Sequence, residues 1–261
     1  MIFKLLSATF TKINIMAEIL ENETLDILSG SNLKIIQKKD GYRFSLDAVL
    51  LADFTSKFIL PKTSVLDMGT GSGIIPIILA TKFKDIEITA LEIQEELCEM
   101  AERSVKINKL EDRIKIIKGD IKETQKIFRK NQFDIVVANP PYRTEKSGRI
   151  NLALQKAVAR HELKCKLTDL VKAGTFLVKN KGRLILIYSP ERLSTLLFEL
   201  KTHNFEPKTI RFIHSTQNGE SKMVLIESAK DGKPGTKVLP PLMVYKRKGD
   251  YSEEIKRIYK I

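Results

Sequence analysis

One stretch, residues 64–80, most limits the folds open to this chain of 261 residues. The run Ser-Val-Leu-Asp-Met at 64–68 is typical of a buried strand, and it leads directly into Gly69-Thr70-Gly71-Ser72-Gly73. An apolar helix follows, with Pro76 in its first turn, where the missing N–H costs little. Strand, glycine turn and helix in this order predict the first unit of an open α/β sheet with a nucleotide-like ligand at the turn.

The spacing of these glycines argues against a nicotinamide or flavin cofactor. The dinucleotide fingerprint requires a third glycine at position 74, which is Ile in this chain. The pattern is instead Asp67-x-Gly-x-Gly-x-Gly, in which the glycines allow the backbone to approach a ligand that has no pyrophosphate.

Two acidic residues follow the next predicted strands. Glu92 comes directly after the strand at 86–91 and lies 25 residues beyond Asp67. This is close to the interval of about 20 residues at which an acid meets ribose hydroxyls in this kind of fold. Asp120 follows the strand at 113–118, and its position suits either a ligand contact or the N-cap of the next helix.

A fourth predicted strand ends at an unusual polar motif. Residues 133–138 form a β-branched, apolar run that stops at Asn139-Pro140-Pro141-Tyr142, because proline cannot donate to a sheet ladder. The Asn139 side-chain oxygen and the Pro140 carbonyl can both accept hydrogen bonds from one planar NH2 group, and Tyr142 can stack on the ring system that carries it. A plain turn would explain the two prolines but not the flanking Asn and Tyr.

The remaining pattern predicts an α/β fold of the doubly wound, Rossmann-like kind. Strands and helices alternate along the chain, and the last two strands, 209–213 and 222–227, are joined without a helix, which predicts an antiparallel hairpin at the C-terminal edge of the sheet. We expect a disordered extension at 1–23, a small hairpin and helix subdomain at 24–60, and the main domain at 61–261. The hairpin strands are expected at 25–28 and 33–37, and a helix from the Ser45 N-cap to about residue 57.

The basic excess is confined to two segments. Residues 143–183 carry 11 basic and 3 acidic side chains and residues 230–261 carry 9 and 4, whereas the rest of the chain is balanced. Solvated lysines without a partner would not explain this segregation, so we expect a polyanion to approach the sheet edge that carries Asn139. The expected phosphate contacts are Arg143, Lys146, Arg149, Lys164 and Lys166.

Other classes of site are disfavoured. Cys98 and Cys165 lack metal-ligand spacing and the three histidines are scattered, so the sequence predicts neither a metal site nor a disulfide framework. No apolar run reaches the 18 residues of a membrane helix, and the first 16 residues lack the pattern of a signal peptide. We therefore expect a cytoplasmic protein without membrane contact.

Residues 24–261 resemble the bacterial tRNA1(Val) (adenine-N6)-methyltransferase family, which modifies the adenine just 3′ of the anticodon. The glycine turn and Asn-Pro-Pro-Tyr resemble the motifs of class I methyltransferases that modify amino or amide nitrogens, and both are widespread. The narrower resemblance depends on the front segment and the tail. Its residues are Gly41-Tyr42-Arg43-Phe44-Ser45-Leu46-Asp47-Ala48, Arg160-His161-Glu162 and Pro241-Leu242-Met243-Val244-Tyr245.

The resemblance implies S-adenosylmethionine as cofactor and the anticodon stem-loop of a tRNA as partner, with no metal and no evident obligate protein partner. It assigns cofactor contacts to Asp67, Gly69, Gly71, Gly73, Glu92, Asp120 (at the adenine amino group) and Asn139. It assigns the chemistry to Asn139, Pro140 and Tyr142. Phe44 and Asp47 are expected to contact the substrate, and His161 is expected to be structural because the chemistry requires no strong base.

Three other functions remain open at this point. A glutamine-N5 methyltransferase acting on release factors would offer the same NH2 donors to Asn139, but such enzymes carry a helical domain ahead of the glycine turn. A ribosomal RNA methyltransferase acting on adenine N6 or guanine N2 is the second of these alternatives. A catalytically silent RNA-binding module would be expected to have lost the glycine turn, which is intact here.

Overall fold

The computed structural model describes residues 19–28, 30–40, 46–140, 166–247 and 249–260. The helices are α1 (Leu46–Ser56), α2 (Ile74–Lys82), α3 (Glu95–Ile107), α4 (Thr124–Ile127), α5 (Leu167–Leu177), α6 (Leu193–Thr202) and α7 (Glu253–Ile258), with 3-10 turns at Ile121–Glu123 and Pro190–Arg192. The strands are β1 (Glu23–Ile27), β2 (Lys34–Lys38), β3 (Ser64–Met68), β4 (Glu87–Glu92), β5 (Ile114–Lys118), β6 (Phe133–Ala138), β7 (Val178–Tyr188), β8 (Phe205–His214), β9 (Ser221–Lys230), β10 (Lys237–Val238), β11 (Leu242–Met243), β12 (Tyr245–Arg247) and β13 (Asp250–Tyr251).

Nine of the described strands form one large sheet in the order β10-β8-β9-β7-β6-β3-β4-β5, with β11 also paired to β8. Separate two-stranded sheets are formed by β1 with β2 and by β12 with β13. Strands β3 to β7 are parallel to one another, and β9 is antiparallel to both β7 and β8. The chain moves outward from β3 through β4 to β5 and then returns to β6 on the other side of β3. This reversal makes the carboxyl ends of β3 and β6 the topological switch point, where such sheets bind ligands.

The predicted doubly wound sheet and its antiparallel hairpin are therefore confirmed. The tail adds something that the sequence pattern did not predict, because β10 and β11 pair in parallel with the outer side of β8. An open strand edge leaves backbone groups unpaired, and these short strands cover it.

Both faces of the sheet are buried, which explains the continuous apolar runs of its central strands. Within β3, Val65 belongs to the core beneath α1, α2, α3 and α7, whereas Leu66 belongs to the core beneath α5 and α6. The side chains of β6 alternate in the same way, with Ile135 on the first face and Val136 on the second.

Some strands are longer than the sequence pattern predicts. β7 begins at Val178, whereas the sequence pattern predicts its start at residue 183. The first half of the strand is polar and lacks the alternation of apolar residues by which a strand is recognised. β9 extends to Lys230, whose ammonium group is buried and donates to Asn131 Oδ1 (2.8 Å), Thr175 O (2.6 Å) and Val178 O (2.8 Å). Burial lowers the pKa of Lys230. A lysine buried in this way is visible only in the folded chain.

The N-terminal hairpin packs against the main domain. Ser104 Oγ on α3 accepts from Ile36 N at 2.9 Å, and Asn108 accepts from Lys34 N at 3.1 Å while donating to Lys34 O at 2.6 Å. The turn of the hairpin also reaches the tail, since a Cβ on Gly30 would lie 2.8 Å from Tyr259 O. Of the predicted extension at 1–23, residues 1–18 lie outside the described residues and Glu23 starts β1. The expected Ser45 N-cap also lies outside them.

Within the described ranges, no helix has the length and apolar character needed to cross a membrane.

The hydrogen bond between Ser104 and Ile36 gives a test of this packing. Ser104→Ala leaves a buried backbone N–H without an acceptor, so we expect the free energy of unfolding to fall by about 1–3 kcal/mol in urea titrations. Ser194→Ala on the exposed surface of α6 is the matched control and is expected to change it by less than about 0.5 kcal/mol. Equal stability of the two variants would show that the hairpin is only loosely attached.

Candidate active site

The glycine turn presents bare backbone to open space. Gly69 and Gly71 have φ values of 75° and 60°, and a Cβ built on either residue meets nothing within 4 Å. The turn is held to β4, because Gly69 N and Thr70 N both donate to Leu91 O, at 2.8 and 3.0 Å. The first two glycines therefore line a cradle that a ligand can enter.

Gly73 is placed differently from the other two glycines. Its φ is 84°, and a Cβ there would lie 3.3 Å from Ala101 Cβ on α3. Gly73 also occupies the N-cap of α2. The third glycine thus permits close packing of the turn against a helix and does not border the open space.

Glu92 connects the turn to the end of β4. Its Oε2 accepts from Gly71 N at 3.0 Å, and its Oε1 accepts from Ile93 N at 2.9 Å and Gln94 N at 3.0 Å. The side chain is buried, and Oε2 retains a lone pair for a further donor such as a hydroxyl. Glu92 therefore orders the turn and is still able to accept a ribose hydroxyl.

Asp67 is a buried carboxylate without a partner. It is only 1% exposed, and neither of its oxygens is hydrogen-bonded among the described residues. Burial raises its pKa to about 7, an effect that the nearby Thr70 hydroxyl opposes and the Glu92 charge strengthens. Thr70 Oγ1 is itself buried and lacks a partner in the described part of the chain. The sequence analysis did not assign Thr70 to the site. Its hydroxyl group, placed between two glycines of the turn, was the one sequence signal of such a role.

The register of the sheet places Asn139 beside the turn. Met68 pairs with Leu91 on one side and with Ala138 on the other, so Gly69, Glu92 and Asn139 stand at one edge on adjacent strands about 4.8 Å apart. Asn139 and Pro140 are half-buried, and the Asn139 side chain has no hydrogen-bond partner within the described residues. No described residue therefore competes with a ligand for this amide.

Asp120 serves as a cap in this structure. Its Oδ1 accepts from Lys122 N at 2.9 Å and begins the 3-10 turn at Ile121–Glu123. The preceding residue, Gly119, donates from its N to Glu92 O at 2.8 Å, so Asp120 stands one strand beyond Glu92 at the same edge. One of the two roles left open by the sequence is thus observed, and the cofactor contact stays a prediction.

The expected substrate contacts are only partly visible. Tyr142, Phe44, Arg143, Lys146, Arg149 and Lys164 lie outside the described residues, as does His161. Lys166 is exposed just before α5, which starts at the catalytic edge because it leads back to the beginning of β7. Asp47 lies in the first turn of α1 and near Tyr259 of the tail, where its charge adds to the effect of burial in raising the pKa of that phenol to about 12.

Part of the basic segment 143–183 does not face the catalytic edge. Lys179 donates to Asp134 at 2.8 Å, and Arg183 pairs with Glu227, both in the amino-terminal half of β7. These cations stabilise the opposite edge of the sheet. The expectation that this charge excess gathers at one edge is therefore wrong for these two residues, because sequence position does not show which acids lie opposite them.

No group of three or more His, Cys, Asp or Glu side chains within the described ranges is arranged to hold a metal ion.

Comparison with known proteins agrees with this geometry. The family model described as "Methyltransferase small domain" matches residues 46–188. A Porphyromonas gingivalis protein named tRNA1(Val) (adenine(37)-N6)-methyltransferase is 30% identical over 244 residues, covering 89% of this chain and 93% of the relative. A Christiangramia forsetii protein of the same name is 29% identical over 229 residues, covering 86% and 92%.

This chain belongs to the tRNA1(Val) (adenine-N6)-methyltransferase family. A solved structure described as a predicted O-methyltransferase from Agrobacterium tumefaciens has a TM-score of 0.66 at 19% identity, covering 82% of this chain and 95% of that one, and it shows the shared class I fold. Membership of this family disfavours the glutamine-N5 alternative. The N-terminal region agrees, since its described part is a hairpin and one helix rather than a helical domain.

The raised pKa of Asp67 can be tested in this methyltransferase without any ligand, because it makes the free energy of unfolding depend on pH. The folded chain keeps the Asp67 proton up to about pH 7, whereas the unfolded chain loses it near its ordinary value of 3.8, so the free energy of unfolding falls as pH rises between these values. We expect about 3 kcal/mol less stability from this group at pH 8 than at pH 5, and Asp67→Asn should remove this difference in urea titrations.

Asp134→Asn is the matched control for Asp67→Asn. Partial burial works to raise the pKa of Asp134, but hydrogen bonds from Lys179 and Ser64 outweigh it and hold the pKa below its usual value. Its stabilising effect is therefore lost only in acid, and the difference between pH 5 and pH 8 should persist in this variant. A wild-type difference that survives Asp67→Asn would show that Asp67 is ionised throughout.

Proposed function

We propose that this chain transfers a methyl group from S-adenosylmethionine to N6 of an adenine in tRNA, the adenine at position 37 just 3′ of the anticodon. The observation that carries the proposal is the sheet register that sets the Asn139 amide one strand away from the open glycine turn. The names of both relatives support the choice of substrate. Because tRNA is the proposed substrate, we also propose a cytoplasmic location.

The residues at the turn fit the cofactor of this enzyme class. Bare backbone at Gly69 and Gly71 leaves room that a side chain would fill. The unpaired carboxylate of Asp67 suits a cationic group, because a buried charge without a partner is costly. Glu92 is able to accept from a ribose hydroxyl. Bound S-adenosylmethionine supplies an electrophilic methyl group.

The other requirement is to make the adenine amine nucleophilic. Its lone pair is delocalised into the purine, and hydrogen bonds from the NH2 group to Asn139 Oδ1 and Pro140 O favour a tetrahedral nitrogen whose lone pair is localised. Positioning and electrostatic stabilisation provide most of the gain. No strong base is needed, since the amine proton becomes acidic after transfer. Tyr142 is proposed to stack on the base, and an anticodon-loop base is unpaired and so costs little to present.

The function is tested with purified protein, S-adenosylmethionine and a transcript of tRNA1(Val). Mass analysis of the nucleosides should show N6-methyladenosine, and a transcript with guanine at position 37 should remain unmodified. Methylation of ribosomal RNA fragments, but not of tRNA, would favour the ribosomal alternative. Cofactor binding without modification of either RNA would contradict the proposal.

The glycines provide a test of cofactor binding that does not depend on activity. Gly71→Ala places a methyl group in the open cradle, so we expect calorimetry in the presence of a chelator to show at least about tenfold weaker cofactor binding. The loss of stability should be about 1 kcal/mol, because alanine is strained at positive φ. Gly73→Ala adds a close contact with Ala101 and should lose about 1–3 kcal/mol more. Equal cofactor affinity in Gly71→Ala and wild type would contradict the cradle assignment.

A variant of Asn139 distinguishes an effect on the chemical step from an effect on substrate binding. If its hydrogen bond strengthens as the amine becomes tetrahedral, Asn139→Ala should lower the single-turnover rate by about 10²–10³ at saturating tRNA and cofactor. Affinity for tRNA should change little, and exposed Gln217→Ala is the matched amide control. A rate within a factor of about three of wild type corresponds to a change of under about 1 kcal/mol in the activation free energy, and it would mean that Asn139-Pro140 is only a structural turn.

A further inference from the structure

The tail brings a second surface to the catalytic edge. β8 has the same direction as β6, because β9 is antiparallel to β8 and β7, and β7 is parallel to β6. Val244 N donates to His214 O at the end of β8, and Tyr245 N donates to Ser215 O at 2.9 Å. β12 therefore starts on the side of the sheet that carries Asn139, about four strand spacings or 19 Å away across the strands and about four residues or 13 Å farther along them.

Aromatic contacts hold this part of the tail in one place. An isolated hairpin as short as β12 and β13 would be marginal in water. Here the rings of Tyr245 and Tyr251 stack with centroids 5.2 Å apart, and Tyr259 lies 6.0 Å from Tyr251. Ser252 N donates to Val244 O at 2.9 Å, and Ser252 Oγ accepts from Ile255 N to cap α7. The hairpin is thus a preorganised platform.

The acids of this platform are already paired. Asp250 and Glu253 both contact Lys256, at 3.1 and 3.0 Å, and Glu254 pairs with Arg211 at 2.7 Å. Exposed cations at the same place have no acidic partner among the described residues. They are Lys246, Arg247 and Lys260.

We propose that the hairpin of β12 and β13 binds phosphates of the tRNA through Lys246 and Arg247, outside the nucleotide that is methylated. The proposal rests on the function proposed above and extends it to the RNA stem. These two components combine to about 23 Å, and at about 3.4 Å per stacked nucleotide this corresponds to about seven nucleotides. An acidic protein is the less suitable partner, because lysine is depleted in protein interfaces and the exposed cations here include Lys246 and Lys260.

The test compares two double variants with the same loss of charge. Lys246→Ala/Arg247→Ala should bind tRNA more weakly, and the slope of log affinity against log salt should become shallower by about 1.4–1.8, for two phosphate contacts. Lys84→Ala/Lys130→Ala is the control, since both lysines are exposed before β4 and β6 at the opposite edge. The control should keep the wild-type slope, and cofactor affinity should be equal in all three proteins.

A short RNA locates the contact. On an oligonucleotide of about seven nucleotides centred on the target adenine, the tail variant should bind like wild type, because that RNA does not reach the platform. A tail variant with the wild-type slope on full tRNA, or with the same loss on the short RNA, would overturn the inference alone. A wild-type protein that neither binds nor methylates tRNA would overturn the proposed function as well.

Discussion

The parallel pairing of β3 with β4 on one side and β6 on the other is the constraint on which the site depends. Because Met68 is in register with both Leu91 and Ala138, three strand ends reach the same edge together. A slip of one residue would turn every side chain of β3 to the other face and bury or expose the wrong set. The apolar cores on both sides of the sheet prevent such a slip.

Glu92 adds local order to this global constraint. Its carboxylate accepts three backbone N–H groups, from the glycine turn and from the start of α3, so the turn has a fixed shape before any ligand binds. Asp67 is the opposite case, since its buried carboxylate has no partner among the described residues. Glu92 thus shapes the site, and the raised pKa of the buried Asp67 marks it as a candidate functional residue.

The two ends of the described chain meet on one face of the sheet. The N-terminal hairpin packs on α3, and its turn touches the tail at Tyr259, while β10 and β11 extend the sheet beyond β8. The fold decides which edge of the sheet each cation reaches. Sequence position does not show this, since Lys179 and Arg183 belong to the basic segment 143–183 but pair with acids at the edge opposite the site.

The sequence by itself determined the order of strands and helices along the chain, the glycine turn and the strand that ends at Asn139, and its resemblance to a known family indicated the class of enzyme. These are local patterns, with periods of two or 3.6 residues and with glycine or proline at the points where the backbone changes direction. Only the tertiary structure decided that Gly69 and Gly71 border open space while Gly73 packs on Ala101, that Thr70 belongs to the site, and that the tail hairpin stands beside the catalytic edge. Each of these outcomes depends on distances between segments that are far apart along the chain, which no local pattern records.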